Sequence, residues 1–257
     1  MGLLSGKRAL VVGVANKRSI AWGIARSLAE EGAELALTYQ HDRFRDNLEK
    51  LLPELPSGAI TTHLDVGDDR SLAALRETLG VHWPHVDIVV HSVAFARTED
   101  LQARFSEIPR EGYSIALDVS AYSLISLTRA VLPMLQAAGG GSVLTMTYLG
   151  GERVVPHYNL MGVAKASLES AMRYLAWDLG GDNIRVNAIS AGPLRTLAAS
   201  AVQGGTALRE VPERTPLRRN IALEDVGHAA SFLCSDWAKN ITGQVLFVDA
   251  GFHIMGV

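Results

Sequence analysis

The stretch from Met146 to Lys165 reads Met-Thr-Tyr148-Leu-Gly-Gly-Glu-Arg-Val-Val-Pro-His-Tyr158-Asn-Leu-Met-Gly-Val-Ala-Lys165 and sets two phenols and one ammonium where a strand is expected to hand over to a helix. Tyr158 and Lys165 lie seven positions apart, close to two helical turns, which predicts that both project from one helix face, roughly 10 Å apart along the axis. One ligand then reaches both. A phenol at neutral pH is a hydrogen-bond donor, and a nearby lysine lowers its pKa while adding donors of its own. Such a pair suits a reaction in which negative charge appears on an oxygen. The plainer alternative is a half-buried aromatic and a solvated helix lysine, and the surrounding elements must decide between the two.

Those elements begin with Lys7 to Val14, short, continuous and branched, as in a parallel strand buried on both faces. It ends on Gly13. A polar loop to Ser19 follows, then a helix with Ile20, Ile24 and Leu28 on one stripe and Gly32 as its stop, then a strand from Glu34 to Tyr39. This strand-loop-helix-strand unit aims backbone amides and a helix N-terminus at a phosphate. The spacing Gly13, Ser19, Gly23 departs from the common glycine pattern, so a simple tight turn stays open beside it. Ser19 offers a hydroxyl to a pyrophosphate in place of bare backbone. At the end of the second strand, where an acid often takes the adenosine ribose, stands Gln40; its neutral amide favours NADH, while Arg43 and Arg45 keep NADPH open.

Further along, a helix is expected over 42–52 and a third strand over 60–64, ending in Asp65-Val66. Asp65 is placed either to meet an adenine amino group or to serve as a turn or cap. After a helix over 69–79, a fourth strand from Val86 to His91 ends in Ser92-Val93-Ala94-Phe95-Ala96, small and apolar enough for a ring to lie against backbone. An irregular crossing over 97–110 leads to one long apolar helix over 111–137. A fifth strand over 142–147 runs into the opening stretch, whose helix is expected from about Tyr158 to Leu179. A sixth strand over 184–189 precedes Ser190-Ala191-Gly192-Pro193-Leu194-Arg195-Thr196-Leu197-Ala198, which is either a plain turn or a clasp for a carboxamide. Weak periodicity and the Gly204-Gly205 pair predict a covering lid at about 196–216. A helix over 224–234 and a last strand over 245–248 complete about seven strands alternating with helices. The expected class is α/β, a doubly wound Rossmann-type parallel sheet with helices on both faces, in a single domain over 1–257.

Composition narrows the chemistry. The chain has 257 residues, 48% hydrophobic, with net charge −3, and no basic excess that would suit nucleic acid. Cys234, the only cysteine, sits in an apolar helical run, so neither a disulfide framework nor a thiolate cluster is available. No apolar run of about 18 residues is evident, and a first strand starting by about Lys7 leaves no room for a targeting segment, so a soluble cytoplasmic protein is expected. His82 and His85 flank Trp83-Pro84, a poor metal pair, and no metal is expected. Gly-x-Ser-x-Gly and Walker patterns are absent from the sequence.

Together these residues resemble the short-chain dehydrogenase/reductase superfamily, and within it the divergent branch of NADH-dependent enoyl-[acyl-carrier-protein] reductases. The likeness runs from Leu3-Leu4-Ser5-Gly6-Lys7 to Val248-Asp249-Ala250-Gly251-Phe252. Most superfamily members place the tyrosine four before the lysine, where this chain has Met161; Tyr158 at seven, with Tyr148 as a second tyrosine, marks the enoyl reductase branch. The resemblance implies transfer of hydride from NADH to the β-carbon of a trans-2-enoyl thioester, with charge developing on the thioester oxygen. It implies Tyr158 as donor to that oxygen, Lys165 on the nicotinamide ribose, and Tyr148 lining the acyl pocket or the protonation path. It assigns the cofactor to Gly13, Ser19, Ile20, Gln40, Asp65, Val66, Ser92, Val93, Ala94, Lys165 and the run Leu194, Arg195, Thr196, Leu197, Ala198. The substrate falls to Ala96, Tyr148 and Tyr158. An acyl carrier protein is the implied partner, docking on Arg209, Arg214, Arg218 or Arg219, and a homotetramer the implied assembly. Ala94 stands where the branch often has glycine. A carbonyl reductase on the same scaffold and a non-catalytic cofactor-binding regulator are the competing readings; Met161 counts against the first, the Tyr158 and Lys165 pair against the second.

Overall fold

The computed structural model describes residues 2–194 and 207–256. The described strands form one parallel sheet in the order β3-β2-β1-β4-β5-β6-β7. They are β1 (Arg8–Val12), β2 (Glu34–Tyr39), β3 (Ile60–His63), β4 (Ile88–His91), β5 (Gly141–Thr147), β6 (Ile184–Ala191) and β7 (Val245–Val248). Alternation along β1 shows why both faces must be covered: Ala9 and Val11 join one core, Leu10 and Val12 the other.

On the first face, α1 (Ile20–Glu30) and α9 (Leu223–Cys234) pack together through Trp22, Ile24, Leu28, Val226, Ala230 and Leu233, with α2 (Asp42–Leu51) beside them. Cys234 belongs to this layer, where burial pushes its thiol up to about 12, the behaviour of a small apolar residue and not of a nucleophile. On the second face lie α3 (Asp69–His82), α6 (Ser123–Ala137) and α7 (Leu160–Asp178), contributing Leu75, Leu127, Val131, Leu168 and Met172. The remaining α-helices among the described residues are α4 (Thr98–Gln102), α5 (Arg110–Leu117) and α8 (Ala207–Arg214).

The structure departs from the sequence reading in four places. The crossing over 97–110 is partly ordered as α4 and a 3₁₀ turn at Phe105–Glu107. The long helix is α5 and α6 joined by a π-turn at Asp118–Tyr122, an inserted-residue widening that apolar periodicity does not reveal. That continuous stretch, Arg110–Ala137, is long and apolar enough to cross a membrane by length and composition, contrary to expectation; half of its most apolar window is buried against the protein, as in a core helix. Finally, α7 begins at Leu160, so Tyr158 precedes it. Of the expected lid, residues 196–206 lie outside the described residues, and Ala207–Arg214 are helical.

The order reverses between β1 and β4, where successive connections leave in opposite directions and a crevice opens at the strands' C-terminal ends. β5 and β6 continue the same edge, so Gly13, Ser92, Tyr148 and Gly192 all follow adjacent strand ends.

Candidate active site

Three consecutive residues at the end of β5 are gripped from the α7 side. Lys165 Nζ donates to the Met146 carbonyl at 2.8 Å. Thr147 Oγ1 donates to Glu169 Oε1 at 2.6 Å. The Tyr148 ring meets the Tyr158 ring edge-on, centroids 4.9 Å apart and planes at 66°. The geometry follows from α7: its buried stripe is Leu160, Met161, Ala164, Lys165, Leu168, Glu169 and Met172, so a lysine and a glutamate one turn apart are carried into the interior with the apolar side chains. A 3₁₀ turn at Leu149–Gly151 lets the two sides close, for a Cβ at Gly150 would overlap the Tyr158 ring.

Tyr158 therefore reaches the site differently from what its spacing to Lys165 predicts. It sits in a turn ahead of the helix, between His157 at φ 66° and Asn159 at φ 46°, instead of on a shared helical face. The Tyr158 amide donates to the Val155 carbonyl at 3.1 Å, and the Tyr158 carbonyl already accepts from the Met161 amide at 3.0 Å. The two groups meet the same strand end, Lys165 at Met146 and Tyr158 at Tyr148, from separate parts of the chain.

The electrostatics correct a second expectation. The Tyr158 phenol is not lowered; burial pushes it well above the ordinary range, and Tyr148 and Glu169 add to the rise. It is a protonated donor at neutral pH. Burial lowers Lys165 to about 8 against an opposing pull from Glu169, leaving an ammonium that is mostly charged at pH 7. Glu169 is itself raised, first by burial, with the Thr147 hydroxyl opposing. His91, on β4, is fully buried and pushed down to about 3 by burial and by Lys165; its ring nitrogens lie 2.9 Å from Thr145 Oγ1 and 2.8 Å from Ser123 Oγ. It is a neutral strut beneath the site.

At the β1–β4 crevice, Gly13 holds φ 111°, and a Cβ there would collide with the Ser92 carbonyl oxygen. Only glycine lets these strand ends approach so closely. Ser19 Oγ accepts from the amides of Ala15 at 3.1 Å and Asn16 at 2.9 Å and donates to the Asn16 carbonyl at 2.7 Å, so its hydroxyl shapes the loop from within. Ile20 opens α1, where the Trp22 and Gly23 amides donate to the carbonyl of the N-cap Ser19 at 3.0 and 3.2 Å and the amides of Ile20 and Ala21 lie at the positive end of the helix. Gln40 is exposed at the end of β2. Arg45 is tied to Glu49 at 2.9 Å. Asp65 is partly buried and closes a local turn, its Oδ1 accepting from the Gly67 amide at 3.0 Å, and Val66 is buried beside it.

Along the β4 end, Val93 and Ala96 are partly buried and Ala94 exposed. Ser120, carried by the π-turn, clamps Phe95 by accepting from its amide at 2.9 Å and donating to its carbonyl at 3.0 Å. Leu194 is buried beyond β6; Arg195, Thr196, Leu197 and Ala198 lie outside the described residues. A crevice that only glycine can floor, an anion-facing helix start and a buried ammonium at its far end fit an extended dinucleotide.

Sequence reasoning missed Glu169, Thr147, Asn159, Ser120 and the role of Gly150. Glu169 had a signal, being one turn after Lys165 on the same face; Ser120 had none, because a π-turn has no sequence period.

A profile described as enoyl-(acyl carrier protein) reductase matches residues 13–253. The enoyl-[acyl-carrier-protein] reductase [NADH] FabI of Aquifex aeolicus is 49% identical, over 100% of this chain and 95% of that protein. A crystal structure of the Bacillus cereus enoyl-acyl carrier protein reductase with NADP+ and indole naphthyridinone superposes with TM-score 0.97 at 48% identity, covering 100% of both chains. An Anaplasma phagocytophilum counterpart in complex with NAD gives 0.94 at 42% identity, covering 100% of this chain and 97% of that one.

Proposed function

The chain belongs to the enoyl-[acyl-carrier-protein] reductase family and is an NADH-dependent enzyme of fatty-acid synthesis that reduces enoyl-acyl-carrier-protein; from that premise we propose how its own residues perform the reaction. NADH supplies, when bound, the hydride received by the β-carbon of the trans-2-enoyl thioester. Tyr158 donates a hydrogen bond to the thioester oxygen, where charge accumulates as the double bond is reduced. A donor aimed at that oxygen lowers the barrier because its interaction strengthens toward the transition state.

The observation that carries this reading is geometric: the Tyr158 ring lies edge-on against Tyr148, 4.9 Å between centroids, at the same β5 end where Lys165 Nζ donates to the Met146 carbonyl at 2.8 Å; burial keeps the proton on the phenol, which can therefore donate. Lys165, fixed by the Met146 carbonyl, holds the nicotinamide ribose hydroxyls and adds positive field near the developing charge. Gly13, Ser19, Ile20, Ser92, Val93 and Ala94 line the dinucleotide's path, and Gln40, Asp65 and Val66 take its adenosine end. Leu194 to Ala198 are assigned to the carboxamide side. Tyr148 and Ala96 wall the acyl chain. A carbonyl reductase reading finds no support: the position that would hold its tyrosine is Met161, buried with its sulfur 3.8 Å from Ser120 Oγ.

The same reading takes 1–257 as one cytoplasmic domain, with residues 196–216 covering the bound substrate. An acyl carrier protein, acidic where it docks, meets Arg209, Arg214, Arg218 or Arg219, of which Arg214 at the end of α8 and Arg218 and Arg219 after it are exposed and the Arg209 side chain lies outside what the structure describes. A homotetramer is proposed from the outer face of α7, where Tyr174 and Trp177 are 74% and 83% exposed. The test of the activity is loss of NADH absorbance with a crotonyl carrier protein. NADH binding without consumption would leave only a cofactor-binding protein.

A further inference from the structure

The turn that presents Tyr158 is strained on both sides. His157 and Asn159 have positive φ, and Asn159, at φ 46° and ψ −125°, lies outside even the left-handed helical well. A non-glycine residue holds such a conformation only where surrounding contacts over-determine it. Asn159 Nδ2 donates to the carbonyls of Asp100 at 3.1 Å, Leu101 at 3.2 Å and Ala103 at 2.8 Å. These close the C-terminal end of α4, where helix carbonyls have no partner within the helix.

α4 is in turn anchored to the β4 end. Asp100 is 1% exposed and takes a two-pronged contact from Arg97, Nε at 2.7 Å and a terminal nitrogen at 3.2 Å, while Arg97 also reaches Glu111 at 3.2 Å. Arg97 directly follows Ala96, and Ser120 clamps Phe95 just before it. One run of contacts thus leads from the turn beside Tyr158, through the Asn159 amide and α4, to the segment assigned to the acyl substrate.

We propose that Asn159 is a positioning residue: its side-chain amide ties the strained turn that carries Tyr158 to the segment after Ala96, fixing the spacing between the donor phenol and the acyl-facing wall. The inference rests on the assignment of Tyr158 as donor. Asparagine suits the position because it tolerates positive φ better than most residues and supplies a donor to several carbonyls at once. A displacement of the phenol by an ångström is enough to cost a large part of turnover.

Two variants separate the tie from the backbone. Asn159→Gly eases the strained conformation and removes the amide; Asn159→Asp keeps the shape but turns an acceptor toward three carbonyls. Each is measured beside Tyr158→Phe and the double variant Tyr158→Phe/Asn159→Gly, for kcat, KM toward crotonyl carrier protein and NADH dissociation constant. The expected result is a loss of kcat of about tenfold for Asn159→Asp and about 3- to 10-fold for Asn159→Gly, with NADH affinity within about twofold. The double variant is expected to lose no more than about twofold beyond Tyr158→Phe, because Asn159 acts through the phenol. Wild-type kcat and KM in Asn159→Gly, or a double variant that loses the product of the single effects, overturns the proposal. If Tyr158→Phe itself keeps wild-type turnover, the donor assignment fails and the tie falls with it; if Tyr158→Phe is impaired and Asn159→Gly is not, only the tie fails.

Discussion

Tyr148 and Tyr158 are edge to face, ring centroids 4.9 Å apart, one leaving the end of β5 and the other held on the turn before α7. The contact sets where the Tyr158 ring lies, and Tyr148 also helps keep the Tyr158 proton in place. The positioning part of this contact belongs to the Tyr148 ring, whereas the effect on the Tyr158 proton comes from its hydroxyl.

Substitutions at 148 separate the two. Tyr148→Phe keeps the ring contact and is expected to retain kcat within about threefold, whereas Tyr148→Ala frees the Tyr158 ring and is expected to lose about 10-fold or more, consistent with an aromatic pair worth roughly 0.5–1.5 kcal/mol plus the misplacement that follows. Steady-state rates with crotonyl carrier protein decide it, and equal losses for both variants would shift the role to the hydroxyl.

Burying the Lys165 ammonium has a cost that depends on pH. Its folded pKa of about 8 lies below the ordinary 10.5. Below pH 8 the ammonium is charged in both states and the burial cost is fully present. Between about 8 and 10.5 the folded form is neutral while the unfolded form is charged, so unfolding takes up a proton and stability rises with pH. Relative to Lys165→Met, the apo wild type is expected to gain on the order of 2–3 kcal/mol across that window. Denaturant titrations of both proteins at pH 7.5 and 10.5 measure it; a constant difference would mean that Lys165 has an ordinary pKa. The same variant is expected to bind NADH more weakly at pH 7, since it removes the ammonium proposed to hold the ribose.

Gly13→Ala drives a methyl into the Ser92 carbonyl and forces φ 111° on a residue with a Cβ. The β1 and β4 ends must then separate, and the crevice proposed to hold the dinucleotide widens. Destabilisation of about 2 kcal/mol or more, with NADH affinity reduced at least 10-fold in the fraction that folds, is the expected outcome by calorimetry and fluorescence titration. Unchanged NADH binding would remove Gly13 from the cofactor site.

Much of this was legible in the residues. The strands were, because continuous branched runs such as Leu10 to Val12 and Val89-Val90 admit little else, and the interleaved helices then required a parallel sheet with its crevice beside Gly13 and Ser92. That Tyr158 and Lys165 meet at one place was legible from types and spacing, but the geometry by which they do so was not. Seven positions suggest one helical face, and the turn that overrides this is made by His157 and Asn159, both at positive φ, with Asn159 bonded to carbonyls near position 100 that no local pattern announces. The direction of the Tyr158 shift was misread for a related reason: the lysine is visible in sequence, whereas the burial that outweighs it is tertiary. The π-turn at Asp118–Tyr122 hides inside an apolar run that looks like unbroken helix.

The most direct measurement of the central claim compares kcat with the NADH dissociation constant in Tyr158→Phe. Removing one hydroxyl aimed at the developing oxyanion is expected to lower kcat by roughly 10- to 100-fold with crotonyl carrier protein, while NADH binds within about twofold of wild type. A variant that turns over at the wild-type rate, or one that loses cofactor affinity in step with turnover, would contradict the assignment of Tyr158 as the donor.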